Sequence, residues 1–265
     1  MSISKNQTIL VIDVGNTHTV LGVYEQQRLQ KHFRLHTDPH RTEDEYTVMI
    51  RGLLQELPQL TNFSGAIVAS VVPPVTPLFE SILKDRFSVE PIVVGPGTKT
   101  GISIRYDSPR DVGADRIVNS VAGFARYAQT QNGPYGVIIV DFGTATTFDV
   151  VSPKAEYLGG AIAPGVLTAT EALFGRTAKL PRIDIKQPKS AIGTNTTESM
   201  QAGIFYGYAA LVDGIVKQMM SELSFTPYVL STGGLAVLFA NQCKTIHATD
   251  PFLTLEGLRL IYEQN

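Results

Sequence analysis

The stretch Ile9-Leu10-Val11-Ile12-Asp13-Val14-Gly15-Asn16-Thr17-His18-Thr19-Val20 returns, roughly half the chain later, as Val137-Ile138-Ile139-Val140-Asp141-Phe142-Gly143-Thr144-Ala145-Thr146-Thr147-Phe148. Each copy opens on four apolar residues, the mark of a buried strand, and continues through Asp-x-Gly-x into threonines. The next residues of each copy, 20–24 and 147–151, have β-type rather than helical periodicity. Both motifs are therefore predicted to sit on β-hairpins. Internal similarity of this kind is the sign of a repeated unit.

Outward from the first hairpin, the pattern predicts a strand over 28–35, a helix over 43–57, a strand over 66–72, a helix over 75–87 and a strand over 91–94. The second copy carries more helix, over 166–174 and 196–223, then a strand over 228–230 and a last helix over 254–263. Two α/β lobes are implied, dividing near residue 116 into half-domains 1–116 and 117–265, with a connecting helix over about 115–130. Glycine and proline mark loops at 95–101 and 131–136. No low-complexity tract separates the lobes.

The 265 residues are 43% hydrophobic, enough for real cores, and the 22 Lys and Arg are scattered among 24 Asp and Glu for a net charge of -2. No basic stripe is available for a phosphate backbone, so nucleic acid is not an expected partner. Apolar runs such as 9–12 and 137–140 are four residues, far short of the roughly 20 that cross a bilayer. No membrane span is expected. Residues 1–8 are polar with one lysine, and the apolar stretch after them ends at Asp13, unlike a signal peptide. The expected place of action is the cytoplasm. The single cysteine, Cys243, excludes an intramolecular disulfide and a cysteine-based metal cluster.

A turn that wraps a phosphate needs glycine for close backbone approach, small hydroxyl residues as donors, and a carboxylate to hold the metal that offsets the phosphate charge. Asp13-Val14-Gly15-Asn16-Thr17 supplies all three. An ordinary tight hairpin also favours Gly and Asn, but its repetition points to two half-domains facing one nucleotide. Gly-x-x-x-x-Gly-Lys-Ser/Thr is absent, and neither hairpin carries Gly-x-Gly-x-x-Gly leading into a helix. Position 20, where a lysine would help neutralise phosphates, is Val20. Backbone N–H groups and bound cations must do that work, so metal dependence is expected.

The paired motifs resemble those of the superfamily of sugar kinases, acetate kinases, chaperone ATPases and actin, which implies two actin-like (ribonuclease H-like) half-domains with ATP in a cleft between them. Within it, the chain resembles the type III pantothenate kinases. The resemblance rests on Asp13-Val14-Gly15-Asn16-Thr17, Gly113-Ala114-Asp115-Arg116, Asp141-Phe142-Gly143-Thr144 and Gly159-Gly160-Ala161-Ile162-Ala163-Pro164-Gly165. Ile192-Gly193-Thr194-Asn195-Thr196, Met200-Gln201-Ala202-Gly203 and Ser231-Thr232-Gly233-Gly234 extend it over nearly the whole chain. It implies an ATP-dependent transferase that phosphorylates pantothenate to 4'-phosphopantothenate in coenzyme A biosynthesis, usually as a homodimer. A superfamily kinase for another acceptor, or an accessory nucleotide-binding protein of the same fold, are the alternatives.

The resemblance also implies residue roles. Asp115 is the expected catalytic base, although a first-turn carboxylate also complements a helix dipole. Gly113, Ala114, Asp115 and Arg116 are expected to line the acceptor pocket with Tyr106 and Thr196, the last also a candidate N-cap of the long helix. Arg116 has a structural alternative, an ion pair with Asp111 or Asp13. ATP is expected on Asp13, Val14, Gly15, Asn16, Thr17, His18, Thr19 and Val20 and on Thr144, with no catalytic role for His18. Asp13 is the expected magnesium ligand and Asp141 the ligand of an activating monovalent cation, potassium or ammonium. Gly233 and Gly234 suit close approach of adenine or ribose. Like charges at 4 Å repel by about 4 kcal/mol at an effective dielectric of about 20, so aspartates around a triphosphate require cations. Asp149 lies on the strand after the second motif, and the pattern does not decide which way it points.

Overall fold

A computed structural model of the protein describes residues 7–60, 62–130 and 133–265. The polar start at 1–6 and residues 131–132 of the expected loop lie outside these. In chain order, β1 (Thr8–Val14), β2 (His18–Glu25) and β3 (Arg28–His36) precede α1 (Glu43–Leu54), β4 (Gly65–Ser70), α2 (Thr76–Ser81) and β5 (Pro91–Val93). Next come β6 (Ser103–Ile104), α3 (Ala114–Gly123) and the short ribbon β7 (Gln129–Thr130) and β8 (Gly133–Pro134). The second copy runs β9 (Gly136–Phe142), β10 (Ala145–Val151), β11 (Glu156–Pro164), α4 (Val166–Gly175) and α5 (Thr196–Glu222), then β12 (Pro227–Thr232), α6 (Ala236–Ala240), β13 (Ala248–Thr249) and α7 (Leu253–Gln264).

The repeat is visible in the strand order. One sheet runs β3-β2-β1-β4-β5 and the other β13-β12-β9-β10-β11-β6, so β9 to β11, β12 and β13 repeat the pairing of β1 to β5, with β6 added at one edge. In each copy the Asp-x-Gly strand is central, antiparallel to the strand after it and parallel to the strand beyond the helix. Centrality explains the composition of β1 and β9, which are buried on both faces and read as continuous apolar runs.

Local chemistry sets the helix ends. Thr42 and Glu45 form a reciprocal capping box that starts α1, with Glu45 N–H donating to Thr42 Oγ1 at 3.3 Å and Thr42 N–H to Glu45 Oε2 at 2.7 Å. Tyr46, Ile50 and Leu54, spaced four apart, put one face of α1 into the core beside Phe79. The helix stops at Leu54, short of the expected 57, and Pro58 keeps helical backbone from resuming at Leu57. The run expected over 75–87 is α2 continued by a π-helical stretch, Ile82–Arg86, and the one over 115–130 is α3 continued by a π-helical stretch, Phe124–Ala128.

By contacts the described chain forms two compact units that are discontinuous in sequence. The first combines residues within Met1–Ile102 with Asp107–Ala122 and Thr254–Asn265, and the second combines Ser103–Tyr106 with Gly123–Leu253. The C-terminal helix thus packs with the first unit, not the second. Its Leu255, Leu258 and Ile261 are buried against Ile9, Val11, Ile67 and Ala69, with Val118 and Val121 of α3 in the same cluster. The other face of that sheet is covered by α1 and α2 through Leu10, Ile12, Val68, Tyr46 and Phe79. A sheet with buried strands needs both faces covered, and in this unit α7 and α3 supply the second layer. The second unit has its own core, in which Phe142, Phe148, Phe205 and Phe239 meet. Among the described residues no helix is long and apolar enough to cross a membrane.

Candidate active site

In the first unit, β1 delivers Asp13 and Val14 to the turn at residues 15–17. Gly15 N–H donates to His18 O at 3.0 Å, closing the turn, and Thr37 N–H donates to Thr17 O at 3.0 Å. Asn16, Thr17 and His18 are exposed, Asp13 and Val20 are half-buried, and Val14 is buried. Thr19 is buried too, its hydroxyl 2.9 Å from that of Thr37, so its side chain braces the turn from beneath. Burial, then the nearby charge of Arg34 and His36, holds the His18 imidazole below its ordinary pKa, which favours the neutral ring.

The Gly-Ala-Asp-Arg segment packs beside Val71, which bonds the end of β1. Val14 O accepts a hydrogen bond from Val71 N–H at 3.0 Å, and a side chain on Gly113 would lie 3.5 Å from Val71 Cγ1 and 2.5 Å from Asp115 Oδ1. Glycine at 113 therefore leaves the space that the Asp115 carboxyl occupies. That carboxyl accepts the N–H of Arg116 at 2.8 Å, in the first turn of α3. Burial pushes the Asp115 pKa up, against the backbone N–H bond and the Arg116 charge that pull it down. Ala114 is half-buried, and Arg116 is 7% exposed. Val71 thus lies between the end of β1 at Val14 and the Gly113 segment that carries Asp115.

In the second unit the corresponding turn is tighter, with Gly143 N–H donating to Ala145 O at 3.1 Å. Thr144 is exposed, and its carbonyl accepts from Gly165 N–H at 3.1 Å and Thr168 Oγ1 at 2.8 Å, which fastens the turn to the start of α4. A side chain at 165 would lie 2.2 Å from Thr144 O. Asp141, half-buried, pairs with Thr232 across β9 and β12. Gly233 comes next in positive-φ backbone (93°), where an added Cβ would lie 2.4 Å from Asp141 Oδ1. Asp141, Thr144 and the Gly233 turn are therefore neighbours.

Tyr106 and Thr196 belong to this unit as well. Tyr106 is 39% exposed and packs on Tyr157 with ring centroids 6.2 Å apart. Thr196 is the first residue of α5, but it is not the cap. Asn195 is, because its extended backbone aims its side-chain oxygen at Glu198 N–H, 3.0 Å away. Relieved of capping, Thr196 lines an open groove of about 540 Å3 with Leu173, Leu180, Thr194, Ser199 and Met200.

No three of His, Cys, Asp and Glu gather as a metal cage among the described residues. The space left at Gly113 and Gly233 was beyond reach of sequence, whereas the α5 cap was missed despite a local signal. Asn195, three residues before Glu198, was the available signal.

The type III pantothenate kinase family model matches residues 9–218. A type III pantothenate kinase of Geobacter sulfurreducens is 54% identical over 97% of this chain and 99% of its own, and one of Halalkalibacterium halodurans is 51% identical over the same shares. Among solved structures, a ROK family glucokinase from Streptomyces griseus, in complex with glucose and AMPPNP, aligns over 97% of this chain and 98% of its own with a TM-score of 0.55 at 12% identity. That last likeness speaks for the actin-like kinase fold alone.

Proposed function

The chain belongs to the type III pantothenate kinase family, and from that premise we propose that it transfers the γ-phosphoryl group of ATP to the hydroxyl of pantothenate, with Asp115 as base. The observation that carries this reading is the half-buried Asp115 carboxyl, raised in pKa and seated in the space left by Gly113, beside Val71, which bonds the end of the strand that bears the Asp13-Val14-Gly15 turn. Asp115 takes the hydroxyl proton as the oxygen attacks the γ-phosphorus and ADP departs. A loose phosphoryl-transfer transition state asks mainly for positioning, so holding the hydroxyl in line is the larger part of its work.

Residues 13–20 and Thr144 contact ATP, the first through turn N–H groups and the hydroxyl of the exposed Thr17. Asp13 holds magnesium with the ATP phosphates, and Asp141 holds a monovalent cation, potassium or ammonium. When bound, these cations offset the phosphate charge. Gly113, Ala114 and Arg116 receive pantothenate with Tyr106 and Thr196; the exposure of Tyr106 and the groove that Thr196 lines support contact with the acceptor. The product feeds coenzyme A synthesis in the cytoplasm. A homodimer is the expected assembly, and analytical ultracentrifugation reads it directly.

The test of the activity is ADP release with and without pantothenate, in magnesium plus potassium or ammonium. Release that ignores pantothenate sinks the assignment. Omission of the monovalent cation is expected to depress kcat/KM, and no response to it removes the role given to Asp141.

A further inference from the structure

Asp149 has no part in the nucleotide and acceptor contacts assigned to its neighbours. It sits in the middle of β10 with 0% exposure, where an apolar residue would pack at lower cost, since a buried carboxyl must be satisfied by hydrogen bonds. Its Oδ1 accepts the hydroxyl hydrogen of Tyr157 at 2.8 Å and its Oδ2 that of Thr147 at 3.2 Å.

The Tyr157 contact depends on an irregularity in the sheet. Asp149 is opposite Gly160 and Val150 opposite Gly159, and regular pairing would next set Leu158 against Val151. The register shifts there, and Val151 faces Tyr157 instead. One extra residue turns Leu158 outward, to 39% exposure, and puts Tyr157 on the face that Asp149 shares with Val151. Asp149 and Tyr157 are then diagonal neighbours, a separation that a tyrosine spans. Gly160, opposite Asp149, has no side chain to fill the gap.

Tyr157 in turn supports Tyr106. Strand β6 pairs with β11 at Ile104 and Tyr157, Arg105 N–H donates to Tyr157 O at 2.8 Å, and the two tyrosine rings pack at 51°. We propose that Asp149 is a positioning residue for acceptor binding: it fixes the hydroxyl end of Tyr157, whose ring holds Tyr106 at the angle pantothenate meets. The proposal rests on the role of Tyr106 as an acceptor contact.

The experiment is a set of cycles among Tyr106→Ala, Tyr157→Phe, Asp149→Asn and the two double variants that contain Tyr106→Ala, with KM for pantothenate and for ATP and kcat measured alongside melting temperature. Tyr157→Phe and Asp149→Asn are each expected to raise the pantothenate KM about tenfold while the ATP KM stays within about twofold. Neither is expected to raise it further in the Tyr106→Ala background, since residues acting through one another are not additive. An ATP KM that rises in parallel, or a full effect persisting without Tyr106, overturns the proposal as general loosening of the unit. A raised pantothenate KM in Tyr106→Ala with none in the other two overturns the positioning chain alone. An unchanged KM in Tyr106→Ala overturns its acceptor role and the chain with it. Tyr157→Phe keeps the ring, so the link is read even if Asp149→Asn does not fold.

Discussion

The Asp115 carboxyl is held above its ordinary pKa by burial, with effects of opposite sign on rate and on stability. As a base it must be ionised, so kcat/KM is expected to fall on the acid side through a pKa above the usual carboxylate range, and that limb is expected to vanish in Asp115→Asn together with about 10²- to 10³-fold of the rate. Stability moves the other way with pH. A carboxyl whose folded pKa exceeds its unfolded one binds more protons when folded, so its contribution weakens as pH rises from the unfolded value through the folded one. At neutral pH the ionised group is a cost, and Asp115→Asn, which keeps an oxygen for Arg116 N–H, is expected to melt no lower than the parent. A variant that is both inactive and several degrees less stable would mean that Asp115 is a structural cap. Gly113→Ala tests the same atoms from the other side. Its new methyl would lie 2.5 Å from Asp115 Oδ1, so the carboxyl must swing away, and kcat is expected to drop at least tenfold while ATP affinity changes little.

At the scale of elements, the turns carry the constraint. Gly233 has positive φ and faces Asp141 and the Phe142 backbone, within 2.4 to 2.7 Å of any added Cβ. Gly233→Ala is expected to destabilise by more than about 1 kcal/mol, because both backbone conformation and space oppose it, and to weaken monovalent activation by moving the Asp141 carboxyl. A urea melt and a potassium titration read the two effects separately, and an unaltered potassium response would detach Gly233 from the cation. The hairpins and their Asp-x-Gly turns were legible because central strands leave unbroken apolar runs and the pattern occurs twice. β11 was not, since Gly159 and Gly160 dilute its β signal, and β13 is only two residues long. Asp149 was undecidable for a related reason. Residues 148–151 of β10 are all buried, so there is no in-out alternation to reveal which way it points, and the register shift that pairs Val151 with Tyr157 has no local signature.

At the scale of the whole molecule, sequence order and compact units part company. Residues 254–263 were readable as a helix from their periodicity, yet nothing in that periodicity says which sheet the helix covers. Its partners are Ile9, Val11, Ile67 and Ala69, more than half the chain away, joined by the Thr254 hydroxyl to Asn119 of α3 at 2.7 Å and the Tyr24 hydroxyl to Glu256 at 3.3 Å. Arg259, 4% exposed, is buried between Glu256 and Glu263 and lies over the Tyr24 ring, which fixes the rotation of the helix on the sheet. The first sheet therefore lacks part of its second cover until α7 has docked beside α3. Leu258→Ala removes a fully buried side chain from that seam and is expected to cost about 2 to 5 kcal/mol. The loss should be confined by the units. Native-state hydrogen exchange is expected to quicken in β1 and β4 while β9 and β12, in the other core, keep their protection. Equal loss in both sheets would mean that the units open as one, and loss restricted to β12 and β13 would return α7 to the second unit.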